Sequence, residues 1–113
     1  MAAGKYDFVI EQGATFSRVI DISDVVTSLA GAAAYLQVRP SVTSSQTYLD
    51  LSSPSSGLLI DTSLLTITIS LSAAETLAQT WSTGVYDLEL ATGAAEVTRL
   101  LEGTVTVSPE VTR

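Results

Sequence analysis

Residues 64–90 read LLTITISLSAAETLAQTWSTGVYDLEL. Leu65, Ile67 and Ile69 alternate with Thr66, Thr68 and Ser70, the period of a strand with one face on a core. Ser72-Ala73-Ala74-Glu75 has the spacing of a capping box, so a helix is predicted to start there. It is brief, over residues 72–78, because Thr80, Thr83 and Gly84 follow. A second alternation then sets Tyr86, Leu88 and Leu90 on one face and Asp87 and Glu89 on the other.

The same period runs outward in both directions. Residues 5–10 alternate, with Tyr6, Phe8 and Ile10 on one face, and Gln12-Gly13 reads as a turn. Residues 15–22 set Phe16, Ile20 and Ile22 together, with Arg18 interrupting. Residues 32–39 oppose Ala34, Leu36 and Val38 to Tyr35, Gln37 and Arg39, and Pro40 ends that strand because it cannot donate to a ladder. The polar residues 41–47 and the Ser-rich residues 52–57 read as loops around short strands at 48–51 and 58–61. Thr92-Gly93-Ala94 reads as a hairpin turn. Residues 97–107 form the last long strand, with Leu101, Val105 and Val107 expected in the core, and Pro109 stops it. Short strands with almost no helix predict an all-β fold, an immunoglobulin-like antiparallel sandwich of about seven strands with one short helix. Residues 1–113 make one domain. In that fold the quoted stretch is the corner between the fifth and sixth strands. Tyr86 is expected to be buried there, its hydroxyl bonded to backbone near residues 72–83, with Ser72 and Glu75 building the corner. Two features depart from the antibody pattern: Leu88 stands where a disulfide cysteine would, and the single Trp81 falls in the corner.

Composition bounds the function. Charged residues make up 15% of the chain, against about a quarter in ordinary domains. The net charge is −7 and Lys5 is the only lysine. An acidic chain without a basic stripe argues against nucleic-acid binding, which needs cations for phosphate. No apolar run approaches the roughly 20 residues that span a bilayer, and no signal-like pattern opens the chain. Cysteine and histidine are both absent. Ser-His-Asp triads, Cys-His pairs and histidine zinc sites are therefore excluded. The carboxylates Asp7, Asp21, Asp50, Asp61, Asp87 and Glu89 are scattered over several strands without metal-loop spacing. No catalytic residue, cofactor or metal is expected. Gly103, inside a strand, reads as a bulge or a close backbone approach. Arg18, Arg39 and Arg99 fall within or at the ends of strands, Arg18 and Arg99 on the apolar phase. They anchor a neighbour through carboxylates, or they snorkel and pair within the domain.

The two ends carry a second signal. KYDFVIEQGATFSRVIDI at residues 5–22, GVYDLEL at 84–90 and VTRLLEGTVTVSPEVTR at 97–113 resemble a family of small virion proteins of tailed bacteriophages. Leu36-Gln37-Val38-Arg39 matches the family's middle strand ending in arginine. The resemblance implies a structural subunit, present in multiple symmetric copies and contacting other virion proteins. It implies a place in the virion after assembly in the bacterial cytoplasm, with the tail, baseplate or neck as the leading location. A capsid decoration role is the first alternative. A carbohydrate-binding module, with Trp81 and Tyr48 or Tyr35 as an aromatic platform, is the second. The contact residues expected on this reading are Lys5, Tyr6, Phe8, Arg39, Arg99, Pro109, Glu110 and Arg113.

Overall fold

The computed structural model describes residues 4–53, 57–92 and 96–112. The strands are β1 (Gly4–Lys5), β2 (Phe8–Glu11), β3 (Phe16–Asp21), β4 (Ala33–Arg39), β5 (Leu49–Ser52), β6 (Leu58–Asp61), β7 (Thr66–Leu71), β8 (Thr83–Ala91) and β9 (Val97–Ser108), with helix α1 (Ala73–Leu77) between β7 and β8. They form two packed sheets. The larger runs β1-β9-β8-β4-β5 with β2 also on β9, and the smaller runs β3-β7-β6. With β3, β7 and β6 as strands B, E and D, and β4, β8 and β9 as C, F and G, this is an immunoglobulin-like sandwich. The alternations predicted from sequence set the core. Leu36, Val38, Tyr86, Leu88, Leu90, Val105 and Val107 face Phe16, Ile67, Ile69 and Leu71 across the two sheets, all buried.

The strand count exceeds seven for two reasons. β5 adds an edge to the larger sheet, and the N-terminal strand is broken at Tyr6-Asp7 into β1 and β2. Both halves pair with β9 in parallel, Lys5 opposite Glu102 and Phe8 opposite Val105. All other strand pairs are antiparallel. β7 begins at Thr66, later than the sequence alternation suggests, because Leu65 takes a left-handed φ of 57° in the preceding turn. Its carbonyl there accepts the Ile22 amide. The capping box forms as predicted. The Glu75 amide donates to Ser72 Oγ, and the Ser72 amide donates to Glu75 Oε1. The predicted turn at Gly93 and Ala94 and the tip of the Ser-rich loop lie outside the described residues.

Tyr86 is buried, but its hydroxyl does not serve the corner beside α1. It donates 2.6 Å to the carbonyl of Tyr6, at the break between β1 and β2. The register explains this. Tyr86 lies opposite Gly103 on β9, and the missing side chain lets the phenol reach the next strand. A Cβ at Gly103 would overlap the Tyr6 carbonyl and crowd Asp7. Asp7 then replaces a ladder acceptor, taking the Thr104 amide at 2.9 Å. Burial, with a smaller push from the Asp7 carboxylate and then Tyr6, raises the Tyr86 pKa well above its usual value. The neutral phenol therefore stabilises the fold below pH ~10, and that contribution is lost as pH rises through the folded pKa. Phe8 belongs to the same cluster. It was expected at an interface but is 4% exposed, its ring 5.0 Å from Tyr86 and edge-on to Phe16 at 5.8 Å. An aromatic between two sheets is withdrawn from any partner.

Two substitutions test this junction. Tyr86→Phe keeps the ring and removes the donor, and should cost about 1 kcal/mol. Gly103→Ala should cost more, about 1–3 kcal/mol, because the added methyl must push β1–β2 outward. Urea unfolding measures both; an unchanged midpoint for Gly103→Ala would contradict the close approach.

Candidate protein-interaction face

Three of the five basic residues converge. On β4, β8 and β9 the outward positions fall in register, forming rows across the larger sheet. Asp50, Gln37, Asp87 and Glu102 form one row; Arg39, Val85 and Thr104 form the next; Tyr35, Glu89 and Arg99 form a third. Lys5 joins from β1, opposite Glu102. Lys5, Arg39 and Arg99 thus share one outer face, where they line a depression of about 560 Å³ with Gln37, Val85 and Glu102. The smaller sheet presents Ser17, Val19, Thr68, Ser70 and Leu59 outward, with Thr66 between Asp21 and Asp61, and its outward row holds no cation.

Arg99 reaches this face through a bulge. The β8–β9 register slips after Leu88, which pairs with Leu101, while Glu89 pairs with Arg99. The extra residue, Leu100, turns into the core. The phase of the strand inverts there, so Arg99 points outward although sequence alternation with Leu101, Val105 and Val107 set it inward. A bulge of this kind re-aims a side chain at constant strand direction. Arg99 then lies 3.4 Å from both Asp87 and Glu102. Lys5 bonds Glu102 as well. Lys5 first, then Arg99, hold the Glu102 carboxyl below its ordinary range.

Arg39 is held differently. Its guanidinium donates to Gln37 Oε1 at 2.8 Å and to the Ser44 carbonyl at 2.9 Å. Both acceptors are neutral, and among the described residues no carboxylate lies within ion-pair distance of it. Asp50 and Glu89 on the same face are likewise without an ion pair among the described residues. Arg18 stays off this face. It projects on the inner phase of edge strand β3, its guanidinium 4.7 Å from the Phe16 ring, where an inward charge blunts an open edge.

The β2–β3 turn, the end of α1 and the segment after β9 meet at one end of the sandwich. Glu11–Ala14 is a tight turn, with the Ala14 amide donating to the Glu11 carbonyl and Gly13 at φ 85°. The Gln12 side chain donates to the carbonyls of Leu77, the last residue of α1, and of Gln79 beyond it, and its Oε1 accepts the Glu110 amide at 3.1 Å. Thr76, fully buried, accepts the Gly13 amide at 3.0 Å and donates to the Ala14 carbonyl at 2.8 Å. The Glu110 carboxylate packs over Gly13, where any Cβ would collide with it. Pro109 and Val111 are exposed, Val111 at 90%. Tyr6 is half exposed, on the aromatic side of Phe8. Arg113 lies outside the described residues. Trp81 and Tyr48 stack on each other, 4.8 Å apart and 3° from parallel, so each covers one ring face of its neighbour. Tyr35 stands apart from them on the outer face.

Sequence reading singled out the basic residues, but took Gln12 only as part of a turn and Asp50 and Glu89 only as scattered carboxylates. The alternation of β4 and β8 assigned their sides. Only the pairing of those strands made them neighbours. Gln12 gave no signal beyond its place before a turn glycine.

Gln12→Ala should cost about 1–2 kcal/mol, from three lost hydrogen bonds, and should speed proteolysis after residue 108. Glu102→Gln should flatten the acid limb of stability. The lowered carboxyl pKa stabilises above the ordinary glutamate pKa of about 4.3, and that contribution disappears on the acid side of it, as pH falls through the folded pKa. Unfolding midpoints across that window check the slope. Compared with protein-family models and with curated proteins, the chain matches none.

Proposed function

We infer that this domain is a structural virion protein of a tailed bacteriophage, an assembly or attachment module of the tail, baseplate or neck. It acts through protein–protein contacts and not through catalysis. The observation that carries the reading is spatial. The segments that resemble the virion family, far apart in sequence, form one continuous unit. Tyr6 meets Tyr86 beneath Gly103, and Gln12 ties Glu110. Motifs that interlock this way specify one scaffold, with the outer face of the larger sheet left free for partners. That face carries mixed charge in a chain otherwise poor in cations, the composition of a docking surface that sets orientation.

The test is complementation of a phage lacking the gene. Arg39→Glu removes two hydrogen bonds to neutral acceptors and should cost about 1–2 kcal/mol, leaving the domain folded as read by circular dichroism, yet lower the copy number of the protein in purified particles. Infectious particles that form fully without the protein and exclude it when it is supplied would overturn the reading. Density on the capsid lattice would place the subunit among capsid decoration proteins instead.

A further inference from the structure

The rows of the larger sheet make its outer face self-complementary. One row carries Asp50, Asp87 and Glu102 with a single cation, Lys5; its neighbour carries Arg39 and, at the far strand, Asp7, which accepts the Thr104 amide. Two sheets packed face to face by a two-fold axis have that axis in the plane between them. If it crosses the strands between these two rows, each row of one copy lies over the other row of its partner. Opposing like rows would instead set three carboxylates against three carboxylates.

We propose that two copies of this chain associate through the outer face of the larger sheet, with Arg39 of each copy paired to Asp50 of the other. Two independent features favour these residues. Arg39 is pre-positioned by Gln37 and Ser44 but lacks an anionic partner among the described residues. Asp50 is exposed on the edge strand next to Gln37 and has no ion pair among them either. Asp87 and Glu102 are already engaged by Arg99 and Lys5, so Asp50 is the available acceptor in its row. Over the partner's Gln37, Arg39 stands one strand spacing, about 5 Å, from Asp50. The same operation carries Tyr35 toward Val42 of the other copy. Both are exposed apolar residues, at 46% and 86%.

The contact is small. Five strands and seven residues define a patch of roughly 20 by 20 Å, below the standard area for a stable complex. The pairing is therefore weak and reversible. A weak contact suits a subunit whose copies are brought together at high local concentration. This inference rests on the reading of the face as a docking surface.

Sedimentation velocity of the purified chain between about 10 μM and 1 mM, at roughly 0.15 M salt, reads the association directly. Arg39→Glu and Asp50→Arg should each weaken it at least about tenfold, the effect of opposing like charges. The double variant Arg39→Glu/Asp50→Arg should restore it to within about threefold, because the pair is regenerated with its sign exchanged. Circular dichroism confirms that each variant keeps its strands. A wild-type chain that stays monomeric at the highest concentration overturns the proposal, as does a dimer that ignores Arg39→Glu or a double variant that fails to recover. Monomeric wild type, together with loss of Arg39→Glu from particles, would overturn the self-association alone and leave the docking surface standing.

Discussion

The larger sheet closes because a phenol passes under a glycine. Tyr86 on β8 bonds the carbonyl of Tyr6 two strands away, and Gly103 on the intervening strand leaves the room. Without that bond, β1–β2 would rest on one parallel ladder, a pairing slightly weaker per residue than the antiparallel kind. With it, Phe8 is fixed between the sheets, against Tyr86 on one side and Phe16 on the other. Core, edge and N-terminal segment thus share one junction. The break at Tyr6-Asp7 belongs to it. The Tyr6 carbonyl serves the phenol, and the Asp7 side chain supplies the acceptor that Thr104 needs.

A second tie performs the same service at the end of the sandwich. Gln12 satisfies the last carbonyl of a five-residue helix and one just past it, and anchors the Glu110 amide. The last carbonyls of a helix have no partner within it. A side chain from the β2–β3 turn supplies one from outside. Thr76 joins the same turn from the helix side, so the helix is held by tertiary bonds and not by its own length. The capping box decides where it begins.

These ties use the β2–β3 turn and the segment after β9 and leave both outer sheet faces open to solvent. The two faces differ in kind. The smaller sheet shows hydroxyls, a few aliphatic side chains and, at one end, the carboxylates Asp21 and Asp61. The larger shows charge, part of it neutralised in place by Arg99 and Lys5 and part held ready by Arg39. In a chain of net charge −7, contact is least repulsive where cations stand. An interface between such chains is directed more by the arrangement of a few charges than by apolar area.

Local chemistry was legible in the sequence wherever the signal is short-range. Alternation gave the inward residues of β4, β7 and β8, because a strand repeats every two residues whatever it pairs with. The capping box gave the start of α1, because all its bonds lie within four residues. Pro40 ended β4, as its missing donor requires. What the sequence did not carry were relations between strands. The bulge at Leu100 inverted Arg99, and a phase inversion is visible only against a neighbouring strand. The hydroxyl of Tyr86 had two possible destinations, the corner beside α1 or the N-terminal strand. Opposing Gly103 chose between them. Phe8 showed the same alternation that a partner-facing strand would show, and its burial followed from the arrival of β3. The sequence by itself determined the strands, the helix start, and the absence of thiol and imidazole chemistry. The tertiary structure alone decided which charges share a face, because register is set by packing between segments up to a hundred residues apart.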